Sequence, residues 1–172
     1  MKEHSAVFYI DASVRFITNR TSFLIASLLQ DCGIMLLSSS AYTTYEITDP
    51  GMYKYLPTDL PALKQQSQIA EANSLVYYNT KEVFDEILYW HFLCSLDPSC
   101  IAPPGSFALP HNPRSWISPP VWAGIHRYDQ SALNILLFNF LLKRNMTMNI
   151  GERVLNVSRD DATPVKVNTC NI

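Results

Sequence analysis

The chain has 172 residues, 48% of them hydrophobic and 16% charged, with only five glycines. That describes a folded chain long enough for one domain with a sizeable core, and it excludes a disordered one. A formal net charge of -2, with lysines and arginines scattered and not striped, excludes nucleic acid as the expected partner.

Met1-Lys2-Glu3-His4 is no signal peptide and leads straight into the apolar run Ala6 to Ile10, which reads as a fully buried strand. Such a start predicts a domain cut from a longer protein. Thr21 or Ser22 can cap a helix running to about Asp31, with Gly33 placed to end it, and Ile34 to Leu37 reads as a second buried strand. Gln30, Asp31 and Gly33 interrupt the apolar stretch from Phe23 to Leu37 too often for a membrane span. Residues 41 to 59 read as a long loop turning at Asp49-Pro50-Gly51, and Thr58 or Asp59 starts a short helix through the Leu60–Ile69 region. Ser74 to Tyr78 is a third strand. Thr80 then caps a helix whose stripe is Val83, Ile87, Trp90 and Cys94.

Residues 97 to 128 hold seven of the eleven prolines together with Trp116 and Trp122, a composition that favours an ordered binding loop. The next helix has Asp129 at the N-cap position and anchors one face through Leu133, Leu136, Leu137, Phe140 and Leu141. Arg153 to Val157 forms a last strand before a polar tail. Strands alternating with helices predict an α/β fold with a mainly parallel sheet flanked by helices. The expected division is an α/β domain over 1–150, truncated at its N-terminus, and a C-terminal strand and tail over 151–172.

Four cysteines, Cys32, Cys94, Cys100 and Cys170, show no zinc-site spacing. Cys94 and Cys100 flank a tight polar turn that a disulfide would close, the alternative being two free thiols. Three sequons, Asn19-Arg-Thr, Asn145-Met-Thr and Asn156-Val-Ser, together with that pair favour an oxidising lumen.

Chemistry concentrates in two places. Asp11 falls at the carboxyl end of the first strand, where open α/β sheets bind ligands. A carboxylate there suits a hard cation, and Arg15 nearby suits phosphate; the structural alternative is a turn cap and a surface ion pair. The second place is His126-Arg127-Tyr128-Asp129-Gln130-Ser131-Ala132-Leu133-Asn134. Gln130 and Asn134 share one helix face and can hydrogen-bond sugar hydroxyls, while Asp129 can act as a general base. Arg127 can stabilise a leaving diphosphate. His126 reads equally as a metal ligand, a proton carrier or a structural residue. Trp116 and Trp122 offer flat aromatic surface, although ordinary packing is their commoner role.

Tyr9-Ile10-Asp11-Ala12-Ser13 resembles the Asp-x-Asp site of GT-A-fold glycosyltransferases. Asp129-Gln130-Ser131-Ala132-Leu133-Asn134 is similar to an Asp-Gln-x-x-Leu-Asn element of several of their families. Gln68 to Thr80, containing Glu71-Ala72-Asn73 and Asn79-Thr80, resembles a strand that precedes a helix in these enzymes. The similarity spans about residues 6 to 142 and is closest to an uncharacterised animal family of glycosyltransferase-like domains. It implies transfer of a sugar from a nucleotide-sugar donor to a glycan or glycoprotein acceptor, in a Golgi-lumen domain of a type II membrane protein. The membrane segment would lie outside this chain.

Asp129 and Gln130 are the expected catalytic residues, and Arg15, Trp122, His126, Arg127 and Asn134 the expected substrate-binding ones, to which the resemblance alone adds Glu71. Asp11 and Ser13 would hold a divalent cation, Mn or Mg. Ser13, where the family has a second acid, and the mere ten residues before Asp11 imply the alternative: an inactive carbohydrate-binding or degenerate member of the same fold. A hydrolase finds no support, because no G-x-S-x-G or His-Glu-x-x-His pattern is present.

Overall fold

A computed structural model describes residues 5–17, 33–40, 42–65, 69–107, 125–146 and the backbone of 155–157. The expected helix over 21–31, Trp116 and Trp122 lie outside these residues, as does the Asn19 sequon.

The architecture is mixed α/β, but its sheet is antiparallel where a mainly parallel one was expected. Strands β1 (Ala6–Ile10), β3 (Ile34–Leu36) and β4 (Ser74–Tyr78) form a three-stranded sheet in the order β1-β4-β3. Central β4 runs antiparallel to both neighbours, with Phe8 opposite Val76 and Met35 opposite the same residue on the other side. β1 is therefore an edge, half-buried to exposed instead of fully buried. Apolar runs report burial and say nothing of strand direction, which explains the difference. A second, two-stranded ladder pairs β2 (Val14–Phe16) with β5 (Leu155–Val157), also antiparallel.

Alternation along the strands divides the core. Ile34, Leu36 and Leu75 face one cluster, shared with the helices, whereas Met35, Leu37 and Val76 face another with Val14. The helical side begins with a 3-10 turn, Pro50–Lys54, capped by Asp49, whose carboxylate accepts from Gly51 N–H at 2.7 Å. Gly51 is needed there, because a Cβ would stand 2.6 Å from the side chain of Pro103. Helix α1 (Leu60–Leu63) is a single turn capped by Asp59, much shorter than expected.

Helix α2 runs on from Lys81–Val83 through a π-helical stretch, Phe84–Leu88, to Tyr89–Leu96. Thr80 caps it as expected, accepting from Val83 N–H at 3.2 Å. Val83, Ile87 and Cys94 are buried, but Trp90 is not: it stands 48% exposed among the exposed Tyr89, Phe92, Leu93 and Leu96. Trp90, just past the π stretch, is the one residue that leaves the stripe predicted by a regular 3.6-residue period.

Asp97 ends α2 and caps α3 (Pro98–Ile101) through Ser99 N–H. Cys94 and Cys100, both buried, are joined as a disulfide with Cα atoms 5.2 Å apart. Helix α4 (Tyr128–Leu142) is the centre of the molecule. Every residue from Gln130 to Leu137 is buried, so the helix is surrounded and not anchored by one face. Glu86 of α2 pairs with Arg144 at 2.6 Å and Lys143 at 3.0 Å beyond the other end of α4.

Candidate functional site

The segment after β1 is a tight turn. Val14 N–H donates to the Asp11 carbonyl at 2.9 Å, and Asp11 N–H donates to the carbonyl of Asn73 at 2.8 Å. Asp11 is thus held beside the beginning of β4. The Tyr9 hydroxyl, on the same face two residues earlier, donates to Asp11 Oδ1 at 2.9 Å. Arg15 is exposed and curls back onto the turn, donating to the carbonyls of Ala12 and Val14. Ser13 is partly buried.

Asn73 belongs to a break in the ladder. Leu36 pairs with Leu75, whereas three residues later Ser39 bridges to Ala70. Two residues on one side therefore face four on the other, and residues 71–74 accommodate a two-residue bulge. The bulge gathers polar side chains. Glu71 Oε2 accepts from Asn73 Nδ2 at 2.7 Å, and Asn73 Oδ1 accepts from the hydroxyls of Ser38 and Ser74, each at 2.8 Å.

On the far side of Ala70 stands α4. Residues 39 and 70 are a pair whose own N–H and C=O groups point outward from the bridge, the links running from Ser40 N–H to Ile69 O and from Glu71 N–H to Ser38 O. Asn134 takes up what Ala70 leaves over. Its Oδ1 accepts from Ala70 N–H at 2.9 Å and its Nδ2 donates to the Ala70 carbonyl at 2.8 Å. Gln130 Nε2 donates to the same carbonyl at 3.0 Å, while its Oε1 accepts from Arg127 Nε at 3.1 Å. Both amides are buried; that of Asn134 is committed to the backbone, and that of Gln130 is divided between the Ala70 carbonyl and the Arg127 side chain. Ser131, also buried, accepts from Arg127 N–H and donates to the Ile47 carbonyl at 2.8 Å.

Asp129 is not the N-cap. That position is Arg127, and Asp129 lies in the first turn, where a negative charge favours the helix dipole. Tyr128 between them adopts a positive φ of 44°, a strained choice for a bulky residue. The side chains of Arg127 and Asp129 are exposed, and His91 of α2 lies 3.2 Å from the Asp129 carbonyl through its Nε2. His126 is fully buried. Its Nδ1 accepts from Asp49 N–H at 3.2 Å, which makes Nε2 the protonated nitrogen donating to the Ile101 carbonyl at 2.8 Å. Burial holds this imidazole below its usual value of 6.5, against the opposing effects of the Ile101 bond and the Asp49 charge.

The Tyr9 phenol is held above its ordinary 10.0, first by its bond to Asp11, then by partial burial, and then by the charges of Asp11 and Asp129. Asp11 acts on this hydroxyl directly, and the Asp129 charge is the weakest of the four influences on it. Sequence reasoning passed over Tyr9, Asn73, Ser38 and Ser74. Tyr9 carried a readable signal, since it shares the strand face of Asp11; Ser38 carried none.

For a hard cation, Asp11 and Ser13 offer a carboxylate and a hydroxyl. No group of three or more His, Cys, Asp or Glu side chains suited to a metal forms among the described residues. One carboxylate suits a magnesium-type ion shared with substrate phosphates. Among the described residues no helix is long and apolar enough to cross a membrane. No family model, curated protein or solved structure matches the chain.

Proposed function

We propose that this chain is a glycosyltransferase-like domain that transfers a sugar from a nucleotide-sugar donor to a glycan or glycoprotein acceptor in the secretory pathway. The observation that carries this reading is that one short stretch holds both acidic segments: the Asn73 carbonyl accepts from Asp11 N–H, and Ala70, three residues earlier, is bound by Gln130 and Asn134 of the helix that carries Asp129. The two acidic segments are 118 positions apart in the chain, yet both are tied to the segment from Ala70 to Asn73, whose bulge displays Glu71 and Asn73.

In this reading the exposed Asp129 carboxylate accepts the proton of the acceptor hydroxyl. The hydroxyl oxygen bonds to the anomeric carbon as the carbon–oxygen bond to the diphosphate breaks, and the diphosphate leaves with the electron pair. Arg15 and Arg127, both exposed cations, offset its charge. Asp11 would hold a Mn or Mg ion against the diphosphate, and that ion would supply further charge neutralisation. Glu71 orients the acceptor.

A second reading has its own support: the Asn134 amide is spent on backbone and that of Gln130 on Ala70 and Arg127, so neither is left to hold a donor sugar, which favours a degenerate member of the same fold that binds carbohydrate through other groups. Titration with UDP-sugars, with and without Mn2+, tests both. Metal-dependent binding lost in Asp11→Asn, with transfer lost in Asp129→Asn, supports the transferase. Glycan binding without any nucleotide-sugar binding supports the second reading. Full transfer by Asp129→Asn would remove the assigned base.

A further inference from the structure

We infer that Asn145 carries an N-linked glycan, displayed at the C-terminal end of α4. The acceptor sequence is Asn145-Met146-Thr147, with no proline at its middle position. Geometry then presents the acceptor amide. Asn145 is exposed and adopts a left-handed φ of 52°. Its N–H donates to the Leu142 carbonyl at 3.1 Å, and Met146 N–H donates to the Leu141 carbonyl at 3.0 Å. This pair of bonds is the Schellman ending of a helix, and it turns the chain sharply at Asn145. The backbone there is pinned while the side chain projects from the corner, so a glycan can be added without disturbing the core.

Two further observations favour the site. The Cys94–Cys100 disulfide is the mark of a chain that folds in an oxidising compartment, where the glycosylation machinery also works. Asp129 and Asn145 stand at opposite ends of α4, about 24 Å apart at about 1.5 Å per residue. A glycan on Asn145 therefore leaves the Asp11–Asp129 region open. The Asn156 sequon differs, since Asn156 sits within β5 opposite Arg15.

The inference is independent of the proposed transferase activity. Its test is to pass the full chain through the secretory pathway of eukaryotic cells, release glycans enzymatically in heavy-oxygen water, and map the peptides. The expected result is Asn145 converted to heavy-labelled Asp. Thr147→Ala should abolish the label and Thr147→Ser should keep it, each with Asn145 still in its turn. An unmodified Asn145 in molecules whose Cys94–Cys100 disulfide has formed would overturn the assignment. Free Cys94 and Cys100 thiols with no glycan would overturn it equally, by removing the lumenal premise.

Discussion

The side-chain amide of Asn134 pairs at two points with the backbone of Ala70, giving and receiving one hydrogen bond each at 2.8 and 2.9 Å. In effect a helix side chain takes the place of a neighbouring strand. The pairing fixes the second turn of α4 against the residue that immediately precedes Glu71. The position of Asp129 relative to the bulge is thus set by a buried polar contact, with Gln130 reinforcing it on the same carbonyl.

Replacing Asn134 by Leu should be costly despite the similar size. It strands the N–H of Ala70 and weakens the satisfaction of its carbonyl in a buried site, at about 1–3 kcal/mol for each group left unpaired. Asn134→Asp keeps one acceptor but removes the donor. We expect Asn134→Leu to lower the free energy of unfolding by about 3 kcal/mol in urea titration. A loss below about 0.5 kcal/mol, the range of an indifferent surface change, would mean that the pairing carries no weight.

Much of this arrangement was legible in the residues, and some was not. β3 and β4 were readable because their apolar runs are short and bounded, β3 by Gly33 before it and β4 by Thr80 after it. The shared face of Gln130 and Asn134 followed from their spacing alone. What they meet on that face did not, because it depends on which backbone groups the Ser39–Ala70 bridge leaves outward. The two-residue bulge at 71–74 depends on register across distant segments, which no local pattern encodes. Asp129 looked like an N-cap because aspartate is common there, but Tyr128 accepts a positive φ and the helix starts earlier. The direction of the sheet was equally hidden: β1 fits β4 antiparallel through contacts that the alternation of strands and helices does not specify.

His126 gives the fold a dependence on pH. Folded, the imidazole is neutral and titrates below 6.5, because it is buried between the Asp49 N–H and the Ile101 carbonyl. Protonating Nδ1 would set a donor against the donor of Asp49. The unfolded chain binds more protons in this range, so the His126 contribution is full above about pH 6.5 and is lost as pH falls through the folded value. Thermal unfolding measured from about pH 8 down to about pH 5 should show a steeper decline in wild type than in His126→Asn. Parallel curves would remove His126 as the source.

The disulfide closes a loop with a sequence separation of six between Cys94 and Cys100. For so short a loop, chain-entropy reasoning gives about 2 kcal/mol of stabilisation. Reduction, or the double substitution of both cysteines by serine, should therefore lower the unfolding midpoint and loosen the junction of α2 with α3. Since Ile101 supplies the carbonyl that His126 donates to, the same change should raise exchange of the Asp49 amide with solvent. Unchanged Asp49 exchange in the reduced protein would uncouple the two features.

The influence of Asp11 and of Asp129 on Tyr9 can be measured without any substrate. Tyr9 titrates above 10.0 mainly because its hydroxyl is bonded to the Asp11 carboxylate, with the Asp129 charge adding the smallest of the named contributions. In ring-labelled tyrosine NMR, Asp11→Asn should bring the Tyr9 midpoint down towards its ordinary value by removing both the charged acceptor and its field. Asp129→Asn should lower it less, because only a distant charge is lost. Raised salt should shrink the Asp129 effect more than the Asp11 effect, since a through-solvent interaction is screened and a direct hydrogen bond is not. A Tyr9 midpoint that ignores Asp129 at every salt concentration would put the Asp129 charge out of reach of the Asp11 turn.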